Sequence, residues 1–114
     1  MNIVIVKDAL PIAKIREIAK EFYTDMIKGA ADVEKEIIAL GGEYHIDASE
    51  LLVKNGSRQN NIWGFNVVFD KPRDSWLEYT ALINIKPARG NRGMFIEDEK
   101  IRDKIRKIVD SKIA

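Results

Sequence analysis

The sequence predicts an α+β fold: a mostly antiparallel sheet of five or six strands with two long amphipathic helices and one short helix, in the order β-α-β-β-α-β-β-α. Three observations predict it. Apolar residues recur at three- and four-residue steps near both ends of the chain, at Ile12, Ile15, Ile18, Ala19, Phe22 and Met26 and again at Ile101, Ile105, Ile108, Val109 and Ile113. Between them, two segments alternate with period two, one through Trp63, Phe65, Val67 and Phe69, the other through Leu77, Tyr79, Ala81, Ile83 and Ile85. A short run at residues 2–6 is apolar without alternation, the mark of a strand covered on both faces.

After that first strand, Pro11 fits the opening turn of a helix, where its missing N–H is harmless. The helix covers the apolar positions from Ile12 to Met26, with Lys14, Arg16, Glu17, Lys20 and Glu21 on its outer side. Residues 27–40 satisfy two patterns. A hairpin is preferred, with arms at 27–33 and 37–46, a turn near Glu34-Lys35 and a bend at Gly41-Gly42. The alternative is a helix over 30–40 that ends at Gly41. Asp47-Ala48-Ser49-Glu50 has capping-box spacing, so a short helix starts at Asp47 and runs through Leu51, Leu52 and Val53 to Gly56.

A polar loop at 55–61 leads into the clearest hairpin, strands 63–69 and 77–86 joined by a turn at 70–75 that contains Pro72. A second loop spans 87–93, and residues 94–96 add a short edge strand. Asp98 then caps the last helix, with Glu99 and Lys112 placed to suit its dipole. Both long helices are expected on one face of the sheet.

At 114 residues the chain is one domain, 1–114, able to bury about two-thirds of its unfolded surface around a single core. It has no cysteine, which excludes disulfides, thiolate metal sites and cysteine nucleophiles and makes a cytoplasmic location the simplest expectation. Residues 3–6 are too few for a signal-peptide core, and no apolar run is long enough to span a membrane. The net charge of +1 conceals an asymmetry. Residues 28–53 carry six acidic side chains against two basic ones, and residues 54–92 seven basic against three acidic. Such thirds either form a dipole that steers charged partners or complement each other within the fold, the second being simpler.

Taken in order, Gly41-Gly42-Glu43-Tyr44-His45-Ile46-Asp47, Leu51-Leu52, Gly56-Ser57 with Gln59, Trp63-Gly64 with Asn66, and Leu82-Ile83-Asn84-Ile85 leading to Pro87 and Gly90-Asn91-Arg92 carry a resemblance. The chain resembles a family of small prokaryotic proteins catalogued as a domain of unknown function, over nearly its whole length. The resemblance implies a stand-alone single-domain protein. It brings no activity, substrate, cofactor or functional residue with it.

The densest chemistry surrounds His45, the only histidine. If residues 43–47 are extended, Glu43, His45 and Asp47 share one side and Tyr44 and Ile46 the other. With Asp32 or Glu34 from the neighbouring arm they make a donor set for zinc, manganese or iron, although Asp47 also serves as a helix cap and there is no second histidine. Without a metal, His45 paired with Glu43 or Glu50 is a candidate general base, with Ser49, Ser57 or Thr80 as nucleophiles. None of those three sits in a nucleophile elbow. The simplest role is a histidine at a strand end, hydrogen-bonded to a carboxylate.

Arg58, Arg89 and Arg92, with Lys54 and Lys86, lie on two loops expected at one end of the sheet, where they would hold phosphate against the Gly90 and Gly93 amides. Trp63 and Trp76 would add stacking for single-stranded nucleic acid. Against this, the chain is nearly neutral and lacks a ribonucleoprotein signature or a phosphate-loop motif. Trp63, Phe65, Phe69, Trp76 and Tyr79 fit the core of a helix-covered sheet. Free sheet edges leave room for a homodimer. The leading expectation is a non-enzymatic binding or interaction protein that contacts an anionic ligand or nucleic acid through Arg58, Asn84, Arg89, Asn91 and Arg92. The alternative is a small hydrolase or metal-dependent enzyme centred on His45. No cofactor and no membrane contact are expected.

Overall fold

A computed structural model describes residues 1–114. Its elements follow the expected order: β1 (Val4–Val6), α1 (Ile12–Ala19), β2 (Met26–Asp32), β3 (Ile37–Leu40), α2 (His45–Lys54), β4 (Ile62–Val68), β5 (Leu77–Glu78) and α3 (Glu99–Lys112). The strands pair antiparallel throughout, in the spatial order β1-β3-β2-β4-β5. β2 and β4 form the backbone of the sheet, in register from Met26 opposite Val68 to Asp32 opposite Ile62.

Each face of the sheet buries its own apolar cluster. On one face Ile27, Ala31, Trp63, Phe65 and Val67 meet Ile15 and Ile18 of α1 and Ile105, Ile108 and Val109 of α3. The two end helices therefore share a face, as expected. On the other face Ala30, Ala39 and Ile62 meet Ala48 and Leu52 of α2, and these small side chains let α2 lie close to the strands. Both faces being covered explains why the unbroken apolar runs read as strands. Trp63, Phe65, Phe69 and Trp76 are buried as core residues, while Tyr79 is partly buried against the same cluster.

Residues 27–40 form the hairpin rather than the alternative helix. Asp32 closes its turn: Oδ1 accepts from the amides of Glu34 (2.9 Å) and Lys35 (3.0 Å), and Oδ2 accepts from Ser57 Oγ (2.5 Å). A buried carboxylate so bonded needs no cation. The C-terminus is stitched to the start of α1, with Leu10 N donating to Lys112 O and Ala114 N donating to Leu10 O, both at 2.8 Å.

Several boundaries differ from expectation. α1 stops at Ala19, so it is not a long helix, and Phe22 is left partly exposed. Met26 instead opens β2, because a seven-residue ladder with β4 outweighs local helical periodicity. The second hairpin arm ends at Leu40, and α2 begins at His45 rather than after Asp47. The expected strand at 77–86 shrinks to β5, followed by helical turns at Leu82–Asn84 and Pro87–Arg89. The edge strand at 94–96 reduces to a single bridge between Thr80 and Phe95.

Asn84 is the cause of that shortening. Its side chain accepts from the Gly64 amide (2.7 Å) and donates to the Gly64 carbonyl (3.1 Å), replacing a strand neighbour at that position of β4. Gly64 is required there, since a Cβ on it would approach Ala81 Cβ to 2.6 Å. The four ion pairs are Lys20–Glu17, Lys71–Glu78, Arg73–Asp110 and Arg106–Asp110. None joins the acidic third to the basic third, so the two are not paired within the fold. No helix is long and apolar enough to cross a membrane.

Candidate functional site

α2 covers only part of its face of the sheet, and the uncovered end holds a row of polar side chains. Lys28 of β2 stands opposite Asn66 of β4, and Asn66 opposite Glu78 of β5. Cross-strand partners project to the same face, so a cation, an amide and an anion line up across three strands. Gly41 and Gly42, at φ 118° and 92°, turn the chain out of β3 and start α2 beside this row. His45, the first residue of α2, places Nε2 2.7 Å from Asn66 Oδ1.

Asn66 Nδ2 donates to Glu78 Oε1 at 3.4 Å, which turns the amide oxygen toward the imidazole. His45 therefore donates from Nε2–H and keeps Nδ1 as its basic nitrogen. The second Glu78 oxygen lies 3.5 Å from Lys71 Nζ. Burial pushes the His45 imidazole below its ordinary 6.5, and the Lys28 charge acts in the same direction, against hydrogen bonds to Asn66 and the Phe65 main chain. The ring is neutral at neutral pH.

This chain of groups opens into a cavity of about 510 Å³, within the size range of small-molecule sites. Met26, Ile46, Leu82, Ile83 and Met94 supply its apolar wall, with Thr80 beside them. Tyr23 and Tyr44 flank Lys28, whose ammonium lies 5.3 and 5.6 Å from their ring centroids. The first turn of α2 also borders the cavity, through Tyr44, His45 and Ile46.

The carboxylates expected beside His45 are elsewhere. Glu43 sits next to the Tyr44 phenol, which its charge pushes above the ordinary 10.0, and its main-chain carbonyl accepts from Tyr23 Oη at 2.7 Å. Asp47 accepts from the Tyr44 amide at 3.0 Å, so it is the third residue of α2 and not the N-cap. Glu50 is exposed, in a separate depression shared with Asp47 and Lys54. Residues two apart on a helix point about 200° from each other, which breaks the strand-face alternation on which the set depended. No three His, Asp or Glu side chains converge as a metal-binding group. Of the nucleophile candidates, only Thr80 reaches the cavity. Ser49 is buried against Gln59, and Ser57 is bonded to Asp32.

The two loops do meet. Lys86 Nζ donates to Gln59 O at 3.0 Å and Arg89 Nη1 to Asn60 O at 3.1 Å, both cations lying over the Trp63 ring at 5.5 and 5.9 Å. Arg58 and Arg92 are exposed nearby in sequence. Asn84 and Asn91, however, are buried. Asn91 holds its loop together by donating to Asn84 O (2.8 Å) and accepting from Glu97 N (3.0 Å). The side chains of both asparagines are spent on bonds inside the fold and not presented at the surface, and Trp63 and Trp76 are buried as well.

Sequence reasoning missed Lys28, Asn66 and Glu78. The signal was one polar residue on the second face of each strand, but only the register makes them neighbours. A small antiparallel α+β domain with an apolar cavity and an internal histidine–asparagine–glutamate chain is the class these features define. The chain belongs to the family described as protein of unknown function (DUF5674), whose model matches residues 4–112. No curated protein and no solved structure matches the chain.

Proposed function

We propose that this is a non-enzymatic binding protein that holds a small organic molecule in the cavity beside His45. The observation that carries the proposal is the 510 Å³ cavity itself, in which an apolar wall converges with His45, Asn66 and Lys28. A neutral imidazole anchored through Nε2 is a fixed hydrogen-bonding group, and no carboxylate contacts it to drive base catalysis. The test is solvent mapping by NMR with isopropanol, phenol and acetonitrile. Amide shifts should concentrate on Lys28, His45, Asn66, Leu82 and Met94. Shifts scattered over the surface, or concentrated at Arg58, Arg89 and Arg92, would remove the proposal.

A second reading keeps the joined loops as an anion contact. It is favoured by Lys86 and Arg89, which approach each other without an acidic partner; burial first, and then Arg89, pushes the Lys86 ammonium below its ordinary 10.5. Arg58, Arg89 and Arg92 would supply exposed charge for phosphate or nucleic acid. Titration of short RNA and DNA across a salt series tests it, since backbone contacts release counterions and weaken steeply with salt. Binding that is absent, or insensitive to salt, would rule this surface out.

A further inference from the structure

We infer that the cavity selects an amphipathic organic anion, its apolar body against Met26, Ile83 and Met94 and its single anionic head on the Lys28 ammonium. The inference deepens the ligand-site proposal and rests on it.

The charges lining the cavity single out Lys28. Glu78 is engaged on both oxygens, by Asn66 at 3.4 Å and Lys71 at 3.5 Å. His45 is bonded to Asn66 and is neutral at neutral pH. Lys28 lines the same cavity and takes part in none of the molecule's ion pairs. The Tyr23 and Tyr44 rings steady its ammonium through their π-faces but do not neutralise it.

Register keeps this charge apart from Glu78. Lys28 pairs with Asn66 and Asn66 with Glu78, so the two charged residues stand two strand spacings apart, about 10 Å, with the asparagine between them. An anion on Lys28 therefore meets an amide and an imidazole on its inner side, not a carboxylate. A cationic ligand would face an unneutralised ammonium, while the acid it would seek already has Lys71. Eight of the thirteen lining residues are hydrophobic, which gives a bare inorganic anion nothing to replace its hydration and favours one that carries an apolar body.

The experiment is an NMR titration of the isotope-labelled protein with a matched set built on one ring system, naphthoate, naphthamide and naphthylmethylamine, with decanoate as a flexible-chain counterpart. Naphthoate or decanoate should perturb Lys28, His45 and Asn66 and bind at least about tenfold tighter than the amide, with the amine weakest. Lys28→Met should abolish the preference for the acid over the amide, and Lys28→Arg should keep it. Lys28→Gln serves as the neutral variant if methionine disturbs the sheet. Equal binding of acid and amide, or tightest binding of the amine, overturns the anionic assignment while the cavity stands as a ligand site. No binding by either body overturns it too, and the solvent map then decides separately on the cavity. The decanoate and naphthoate arms show which body the apolar wall prefers.

Discussion

His45 couples the cavity to the stability of the fold through its proton. Its folded-state pKa lies below the ordinary 6.5 because burial and Lys28 both disfavour the imidazolium. Between the two values the unfolded chain binds more protons than the folded one. The contribution is therefore complete above about pH 6.5 and is lost as pH falls through the lower, folded value. Urea midpoints measured from about pH 7.5 down to about pH 5 should decline more steeply in the parent than in His45→Asn. Identical slopes would show that the ring carries no such linkage. Asn84 and Arg92 make a contrasting pair, both expected from sequence to touch a ligand. Asn84→Ala leaves the Gly64 amide and carbonyl without partners inside the protein and should cost about 3 kcal/mol in urea unfolding. Arg92→Ala, at an exposed position outside the four ion pairs, should change stability by less than about 0.5 kcal/mol.

At the level of elements, the turn from β3 into α2 sets where the histidine stands. Gly41 has φ 118°, and a Cβ there would run into the Asn2 carbonyl and lie 3.2 Å from Ile3 Cα, so the same residue also fixes how closely the strand before α1 can approach. Gly41→Ala combines backbone strain with that clash and should destabilise by about 2 kcal/mol or more, with amide shifts that spread to Asn2, Ile3 and His45. A loss under about 0.5 kcal/mol would mean that the turn relaxes without them. The glycine pair was legible in the sequence as a sharp change of direction. Its outcome was not, because the helix begins at His45 with Tyr44 as its N-cap and uses Asp47 in its first turn, so the capping pattern is displaced by three residues. The alternation of Leu77 to Ile85 misled in a similar way. Period two describes which side a residue faces while the chain stays in the sheet, but a strand also needs a neighbour, and Asn84 takes that place on β4.

Across the whole molecule, stability comes from two apolar clusters that share a sheet, not from charge. All four ion pairs have side chains between 43% and 67% exposed, where screening and side-chain entropy leave little net gain. Raising NaCl from about 0.05 to about 1 M should therefore shift unfolding stability by less than about 1 kcal/mol, measured as the urea midpoint at constant m-value. A larger loss would mean that the acidic and basic thirds attract each other at longer range. Anion binding at Lys28 should weaken with salt more than folding does.

The sequence by itself determined the order of the elements, the faces that Ile15, Ile105, Trp63 and Phe65 bury, and the location of two polar loops, because hydrophobic periodicity is local and survives small errors in boundary. It also marked His45, though with the wrong companions. Only the tertiary structure decided that Lys28, Asn66 and Glu78 stand in one row, that His45 closes on Asn66, and that Asn84 and Asn91 turn inward. Those neighbours are set by strand register and by where α2 begins, and both are fixed by packing between residues far apart in the chain, where a slip of one residue would send every side chain to the opposite face.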